Sequence, residues 1–299
     1  MKIDTLVHDI GEVLQGKHGW DWVATGQTMG DKVDTIAMDR FSEPPKPRKY
    51  LSMSSIGQAC KRKLWLRVNG TEKGEDLTPD TLLKFFYGDV IEEIVLALAI
   101  QSGHEVTGQQ DEMSILGVKG HRDAVIDGMT IDVKSASDYA FKKFKEHQLK
   151  GYYKYNTKTK TDEWVHASEV DAFGYISQLS SYVYAAKDDP LVTNKTHGAF
   201  LVMNKVTGEI CLDIYDFTEE LKVKEAEVEE AKRLIDLSVP SPVLDSEPMG
   251  MSGNERLCMH CRYCEHKFFC HPTTRTFKSA RGPVYLSKVV KEPRMEEIT

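Results

Sequence analysis

The chain has 299 residues, six cysteines and a net charge of −7 at pH 7. Its length allows a sizeable buried core, in one elaborated domain or two small ones, and 40% hydrophobic with 28% charged residues excludes a disordered or fibrous chain. No apolar run reaches the roughly 18 residues of a membrane-spanning helix, and Asp4 and Asp9 fall where a signal peptide needs apolar residues, so the sequence reads as that of a cytoplasmic protein.

In chain order, the first twenty residues predict a short amphipathic helix with Leu6, Ile10, Val13 and Leu14 on one side. Residues 40–50 are a proline-rich, basic connector. Ser54-Ser55-Ile56 then opens a predicted helix that carries Cys60 and the basic group Lys61, Arg62, Lys63 and Arg67. A polar loop from Glu72 to Pro79 leads into the strongest helix, Thr81 to Gln101, with Leu83, Tyr87, Val90, Ile94 and Ala97 as its apolar stripe. Strand-like runs follow at Glu112–Val118, His121–Ile126 and Met129–Lys134, punctuated by Gly120 and by Asp127-Gly128, a tight-hairpin signal. Residues 150–166 read as an exposed loop or ribbon, and Glu169 to Ala186 as a helix. His197–Met203 and Glu209–Tyr215 predict a second hairpin through Thr207-Gly208, before a charged amphipathic helix from Thr218 to Leu237. Proline breaks precede the cysteine group, and the last 25 or so residues read as irregular. This order indicates a mixed α/β fold rather than a regularly alternating parallel one.

Across the Asp127-Gly128 hairpin, Asp123 and Asp132 can meet. Strand alternation puts Asp132 and Lys134 on one face with Val133 behind. Two carboxylates at one spot repel unless a cation neutralises them, and hard oxygen ligands suit Mg²⁺ or Mn²⁺. A lysine beside them would stabilise charge developing on a phosphate. His121, two residues before Asp123, shares its strand face. Taken alone, Asp132-x-Lys134 is also what a solvated strand with one ion pair looks like.

Cys60 stands alone, and Cys261, Cys264 and Cys270 follow about 200 residues later with C-x2-C-x5-C spacing. Such spacing lets thiolates converge on one metal or cluster. Cys258 adds a C-x2-C-x2-C run, so an all-local set of Cys258, Cys261, Cys264 and Cys270 is an alternative that leaves Cys60 free. His260, His266 and His271 admit zinc as well. Clustered cysteines without an export signal point to metal binding rather than disulfides, and Cys211, inside a strand-like run, reads as a buried thiol.

Gly88-x-x-x-Glu92, Gly120-x-x-Asp123, Asp132-x-Lys134 and Gln178-x-x-x-Tyr182 occur in an order and with gaps that resemble the PD-(D/E)xK nuclease superfamily, in its RecB-like branch. The resemblance implies a restriction-endonuclease-like core with a mixed central sheet flanked by helices. It implies a Mg²⁺- or Mn²⁺-dependent DNA exonuclease, with Glu92, Asp123, Asp132 and the Val133 carbonyl holding metal. Lys134 would orient or help activate the attacking water. Gln178 and Tyr182, four apart on one helix face, would contact DNA or order the site. RecB-like members commonly carry histidine where Glu92 stands; glutamate there is similar to phage exonucleases of the lambda type. Glu93 competes with Glu92, because it lies nearer the predicted apolar stripe.

The cysteine pattern, with Ser54-Ser55-Ile56 ahead of Cys60, resembles the iron–sulfur clasp of AddB-type nucleases and of CRISPR-associated and phage RecB-like exonucleases. It implies a [4Fe–4S] cluster on Cys60, Cys261, Cys264 and Cys270, with Zn²⁺ as the alternative. The resemblance spans roughly residues 50 to 272. It divides the chain into a helical segment and linker (1–50), a nuclease core (51–250), a cluster-binding segment that pairs with Cys60 (251–275) and a tail (276–299). Implied partners are DNA, single-stranded or with free ends, and a single-strand annealing or recombination protein, in the host cytoplasm if the protein is phage-encoded. The settings are phage-type recombination, repair or degradation. A structure-specific endonuclease, a CRISPR spacer-processing nuclease and a non-catalytic DNA-binding module are the alternatives. No G-x-x-x-x-G-K-[ST] helicase motif is present. Basic groups occur at Lys46, Arg48 and Lys49, at Lys61–Arg67, at Lys142, Lys143 and Lys145, and at Lys150, Lys154, Lys158 and Lys160, and those around Lys61–Arg67 and Lys142–Lys160 would track phosphates.

Overall fold

The computed structural model describes residues 2–17, 19, 21–43, 49–70, 74–157, 159–280 and 282–298. Lys46, Arg48, Lys158 and Glu72 lie outside the described residues. The chain opens with α1 (Leu6–Leu14), which buries Leu6, Ile10 and Val13, and α2 (Trp22–Phe41), capped by the Asp21 carboxylate. Then come α3 (Lys61–Asn69) and the long α4 (Pro79–Gln101). Thr78 caps α4 and Pro79 takes its first position, where a missing N–H costs nothing.

The buried line of α4 is Ile91, Val95 and Leu98, one residue beyond the expected stripe; Leu83 is 61% and Tyr87 44% exposed. The cause is physical. The second half of α4 is apolar nearly all round, so two adjacent rows fit the helical period equally well.

Four short strands lead to the centre of the fold: β1 (Val106–Thr107), β2 (Glu112–Ile115), β3 (Val118–His121) and β4 (Ala124–Ile126). The expected single strand Glu112–Val118 is instead a hairpin. It turns at Leu116-Gly117, both with positive φ (49° and 82°). After Asp127-Gly128 the chain enters β5 (Met129–Ala136) and then α5 (Asp138–Lys145). Residues 150–166 form a regular ribbon of β6 (Gly151–Asn156) and β7 (Thr161–His166). The helix expected over 169–186 is split into α6 (Ala167–Val170) and α7 (Tyr175–Ala185), because Gly174 sits at φ +76°. Then follow β8 (His197–Asn204), β9 (Ile210–Asp216) and α8 (Thr218–Ile235).

These elements make a mixed sheet in the order β1-β4-β5-β8-β9, with β5 and β8 parallel and the other neighbours antiparallel. Strand alternation gives it two apolar faces. Ile131, Val133, Ala199 and Leu201 pack with α1 and α4. Ala136, Phe200 and Val202 pack with Phe141 and Phe144 of α5 and with Leu179 and Val183 of α7. The fold is mixed α/β with a mixed central sheet flanked by helices.

The chain folds into two units. The first comprises Met1–Pro47, Leu51–Gly57 and Thr78–Glu230, and holds the mixed sheet. The second gathers Arg48–Tyr50, Gln58–Leu77 and Ala231–Thr299. It contains α3, β10 (Glu247–Met249), β11 (Asn254–Arg256), α9 (Met259–Arg262), α10 (Lys267–Cys270), β12 (Arg275–Phe277), β13 (Val284–Lys288) and β14 (Glu297–Ile298). Residues 276–298, expected to be irregular, supply strands of an antiparallel sheet in the order β10-β11-β13-β12-β14, with Phe277 and Leu286 buried. No helix of the described residues is long and apolar enough to cross a membrane.

Candidate functional site

Strand β4 begins at Ala124, opposite Ile131, so on its β4 side β5 has no strand partner at Asp132 and Val133, while β8 pairs with them on the other side. Asp123 fills that gap. Its Oδ2 accepts the Val133 N–H at 2.7 Å, as a ladder carbonyl would. The Val133 carbonyl points to the same side as its N–H, by strand geometry. Asp132 and Lys134 project from the opposite face to Val133, and Lys134 Nζ lies 2.5 Å from Asp132 Oδ2. Gln178 of α7 donates to Asp132 Oδ1 at 3.2 Å.

Glu92 approaches from α4 and accepts a hydrogen bond from Gln110 Nε2 at 2.7 Å. Glu93 is turned instead to Lys32, at 2.5 Å. Of the two competing glutamates, Glu92 is therefore the one that faces Asp132 and Lys134.

The charges strain against one another. Burial pushes the Asp123 carboxyl well above its usual range, and Asp132 and Glu92 push it further. Burial likewise raises Asp132, against the pull of Lys134. Glu92 is pushed up to about 7 by burial, with Glu93 and Asp132 adding to it against the Gln110 hydrogen bond. Burial opposes the charge of Lys134, but Asp132 and Asp123 outweigh it and hold the ammonium above the usual lysine range. Lys134 is thus a fixed positive charge rather than a base.

A hard divalent cation suits this donor set. All the candidate ligands are oxygens, three are mutually repelling carboxylates, and buried Asp132 Oδ2 has no aligned hydrogen-bond donor beyond its ionic contact with Lys134. The three carboxylates do not yet converge within 4.8 Å of one another. Among the described residues only His8, Asp9 and Glu12 of α1 do so, a group the sequence did not suggest. Each carboxylate in the centre instead holds a protein partner: Gln110, the Val133 amide or Lys134.

Tyr182 is 3% exposed, packed beside the centre rather than open to solvent. Its phenol is pushed up to about 12 by burial and by Asp132 and Asp123. Gly120 makes room for it: a Cβ there would lie 3.0 Å from Tyr182 Oη and 2.9 Å from Met53 Cβ. His121 is exposed and shares no contact with the centre. Three residues not singled out from sequence also build the site. Gln110 holds Glu92, and Tyr175 lies under Lys134 with its ring centroid 5.4 Å from Nζ. Arg122, 1% exposed, is tied to Asp111 and Asp189 and fixes the chain just before Asp123. Tyr175 could have been found, since it is three residues before Gln178 on the same helix face.

In the second unit, Cys60 ends the approach to α3, while Cys261 lies in α9, Cys264 between α9 and α10, and Cys270 at the end of α10. All four line one cavity with Arg62, Lys63, Leu66, Val243, Leu244, His266 and Lys267; Cys258 does not line it. All six cysteines are free thiols. Burial raises Cys60, and raises Cys264 to about 11. Cys258, bonded to Cys261, is lowered to about 6 while Cys261 is raised. The His266 N–H donates to Cys264 Sγ at 3.4 Å. No three of these sulfur or imidazole ligand atoms lie mutually within 4.8 Å, whereas a zinc tetrahedron draws sulfurs to about 3.8 Å. Cys211, on β9, is half-buried, and burial pushes it up to about 12.

The expected phosphate-tracking lysines are largely engaged within the protein. Lys63 and Arg67 pair with Glu265, Arg62 donates to the Ser241 carbonyl, Lys145 pairs with Glu209, and Lys150 with Glu220.

No family model matches the chain, and no curated protein matches it. Among solved structures, one described as "Crystal structure of SSO0001" aligns over 81% of this chain and 96% of that one, at 12% identity and a TM-score of 0.38. That likeness is too distant to bear on fold or function.

Proposed function

We propose that the chain is a divalent-metal-dependent deoxyribonuclease of the PD-(D/E)xK superfamily, RecB-like branch, acting as an exonuclease, with a restriction-endonuclease-like core and an iron–sulfur segment. One observation carries this reading. Glu92, Asp123, Asp132, Lys134 and Gln178, drawn from α4, the start of β4, β5 and α7, form one buried polar centre in which every carboxylate is held toward its protonated form. Structural ion pairs usually lower carboxylate pKa values; three raised together indicate a place built for an added positive charge.

Glu92, Asp123, Asp132 and the Val133 carbonyl would hold Mg²⁺ or Mn²⁺, which would supply Lewis acidity at a phosphate oxygen and a nucleophilic water near neutral pH. Lys134, held charged, stabilises negative charge growing on the phosphate and orients the attacking water. Gln178 fixes the Asp132 carboxylate, and the Val133 amide fixes Asp123. Cys60, Cys261, Cys264 and Cys270 would hold a [4Fe–4S] cluster of structural role; that these four share a cavity favours them over the set containing Cys258.

The test is oxygen-free purification, then incubation with Mn²⁺ and end-labelled linear and circular DNA, wild type beside Asp132→Ala, with absorbance near about 400 nm recorded. Cleavage of linear DNA by wild type alone, by a brown protein, is the expected result. A protein that cleaves no DNA form with any divalent ion overturns the nuclease reading. Colourless protein carrying stoichiometric zinc overturns the cluster. Circular DNA cut as fast as linear replaces the exonuclease with an endonuclease.

A further inference from the structure

The open side of β5 extends past the carboxylates. Val133 donates its N–H to Asp123 on the side that β4 leaves uncovered. Strand alternation turns the Ser135 N–H and carbonyl to that same side, roughly 6–7 Å further on, while the intervening Lys134 pairs with Val202 of β8 on the other. Among the described residues nothing bonds to the Ser135 amide or hydroxyl, and the residue is half-buried rather than sealed from water. A pair of free donors therefore stands one strand step beyond the Val133 amide.

Over Ser135 lies a gap in α4. Glu92, Gly88 and Lys84 succeed one another at intervals of four residues on one ridge of the helix, about 6 Å apart. Among the described residues, a Cβ on Gly88 would meet only Ser135 Oγ, at 3.7 Å, an ordinary contact. The packing thus has room for a methyl, the backbone there is helical, and glycine inside a helix is a poor helix former. Neither core nor backbone asks for glycine at this point. Lys84, exposed one turn further on, has no carboxylate partner among the described residues, whereas Lys119, Lys142, Lys145 and Lys150 of the same unit are each paired with a glutamate.

We propose that the notch between Gly88 and Ser135 seats the DNA phosphate adjoining the one held at Glu92, Asp123 and Asp132, with Lys84 beside the phosphate after it. This rests on the nuclease reading and adds to it the path of the strand. The notch offers an N–H, an O–H and, one turn on, an ammonium, and such donors suit anionic oxygens. They contact the backbone of the strand and not its bases, so they position DNA without reading its sequence. The strand step from Val133 to Ser135 and the helix step from Glu92 to Gly88 agree with each other in length and with the spacing of phosphates along an extended strand. A methyl at Gly88 would stand where a phosphate oxygen has to come.

The experiment measures binding by the full chain, with Ca²⁺ replacing Mn²⁺, to a DNA hairpin with one free end and a short overhang. Its phosphates are replaced singly by neutral methylphosphonates, starting from the free end. In wild type one replacement should stand out, weakening binding roughly 10- to 150-fold, the worth of hydrogen bonds to a charged group. Gly88→Ala should bind the unmodified hairpin more weakly by a similar factor, be indifferent to that replacement, and melt no lower than wild type, since alanine favours the helix. Ser135→Ala should lose part of the same sensitivity and Ser135→Thr keep it. Lys84→Gln should weaken binding to every sequence and lower the salt slope by about one. Wild-type affinity in Gly88→Ala, or undiminished sensitivity of that variant to the same replacement, overturns the proposal, as does a wild type that binds no DNA or is indifferent to every replacement. Mn²⁺-dependent cleavage, measured separately, tells the two readings apart: cutting without the methylphosphonate pattern keeps the nuclease and discards the notch, and the pattern without cutting does the reverse.

Discussion

The carboxylate centre of the first unit and the cysteine cavity of the second gather ligands from distant parts of the chain by opposite means. At the carboxylates the ligand atoms are occupied: Glu92 by Gln110, Asp123 by the Val133 amide, Asp132 by Lys134 and Gln178. Their positions are set by charge and hydrogen bonding, and a cation bound there, as proposed, would have to displace internal partners. At the cysteines, α3, α9 and α10 bring short side chains round a common cavity, and burial is the main influence on the Cys60 and Cys264 thiols. Under the proposed reading, the first arrangement would suit a ligand that comes and goes, and the second one that stays.

The sharpest break of this comparison is at Asp132. Asp132→Ala should lower Mn²⁺-dependent cleavage of labelled DNA by about 100- to 1,000-fold or more, with the cysteine chromophore untouched. Next come the cysteines. Cys60→Ser and Cys261→Ser should each lose the chromophore and several kcal/mol of stability, about 10 °C in melting temperature, while Cys258→Ser should keep both; bound iron per chain checks this. If Cys258→Ser loses iron and Cys60→Ser keeps it, the all-local ligand set is the correct one.

A smaller effect belongs to Gly120→Ala. The added methyl presses on Tyr182 and Met53, at a cost of about 1–3 kcal/mol in denaturant unfolding and with a larger loss of cleavage than of metal affinity. The smallest concerns pH. Folded Glu92 keeps its proton up to about 7, against an ordinary value of 4.5, so folding takes up a proton between those values and the metal-free protein loses stability as pH rises through that window. Because Glu92 retains some access to water, the expected loss is on the order of 1 kcal/mol. Mn²⁺ should stabilise progressively more over the same range, read as melting temperature against pH, and Glu92→Gln should flatten both trends.

What the sequence disclosed follows from how local each interaction is. The β4–β5 hairpin was legible because Asp127 and Gly128 both take positive φ (47° and 77°), a local requirement that leaves a dipeptide signature. Asp123, Asp132 and Lys134 could be named because the hairpin and strand alternation bring them together, whereas Glu92, Gln178 and Tyr182 were named through the resemblance of their motifs to RecB-like nucleases. The turn at Leu116-Gly117 hid behind a leucine, which rarely takes φ 49°. Gln110 belongs to no periodic element, and only the fold brings it to Glu92. The strands β12 to β14 are two to five residues long and exist through pairing with one another and with β11, which no local pattern encodes. The partners of the basic groups were hidden for the same reason. Charge is visible in a sequence, but Glu265, which neutralises Lys63 and Arg67, is some 200 residues away.

The second unit is discontinuous, interrupted by Leu51–Gly57 and Thr78–Glu230 of the first, and this imposes an order on biosynthesis. At ordinary translation rates, Cys60 leaves the ribosome roughly 10–40 s before Cys261. In that interval the first unit, complete at Glu230, has all its own strands and helices, whereas α3 has none of its later partners. If Cys60 shares a cluster with Cys261, Cys264 and Cys270, as proposed, that cluster can form only after those three have been made, and until then Cys60 is without its later partners.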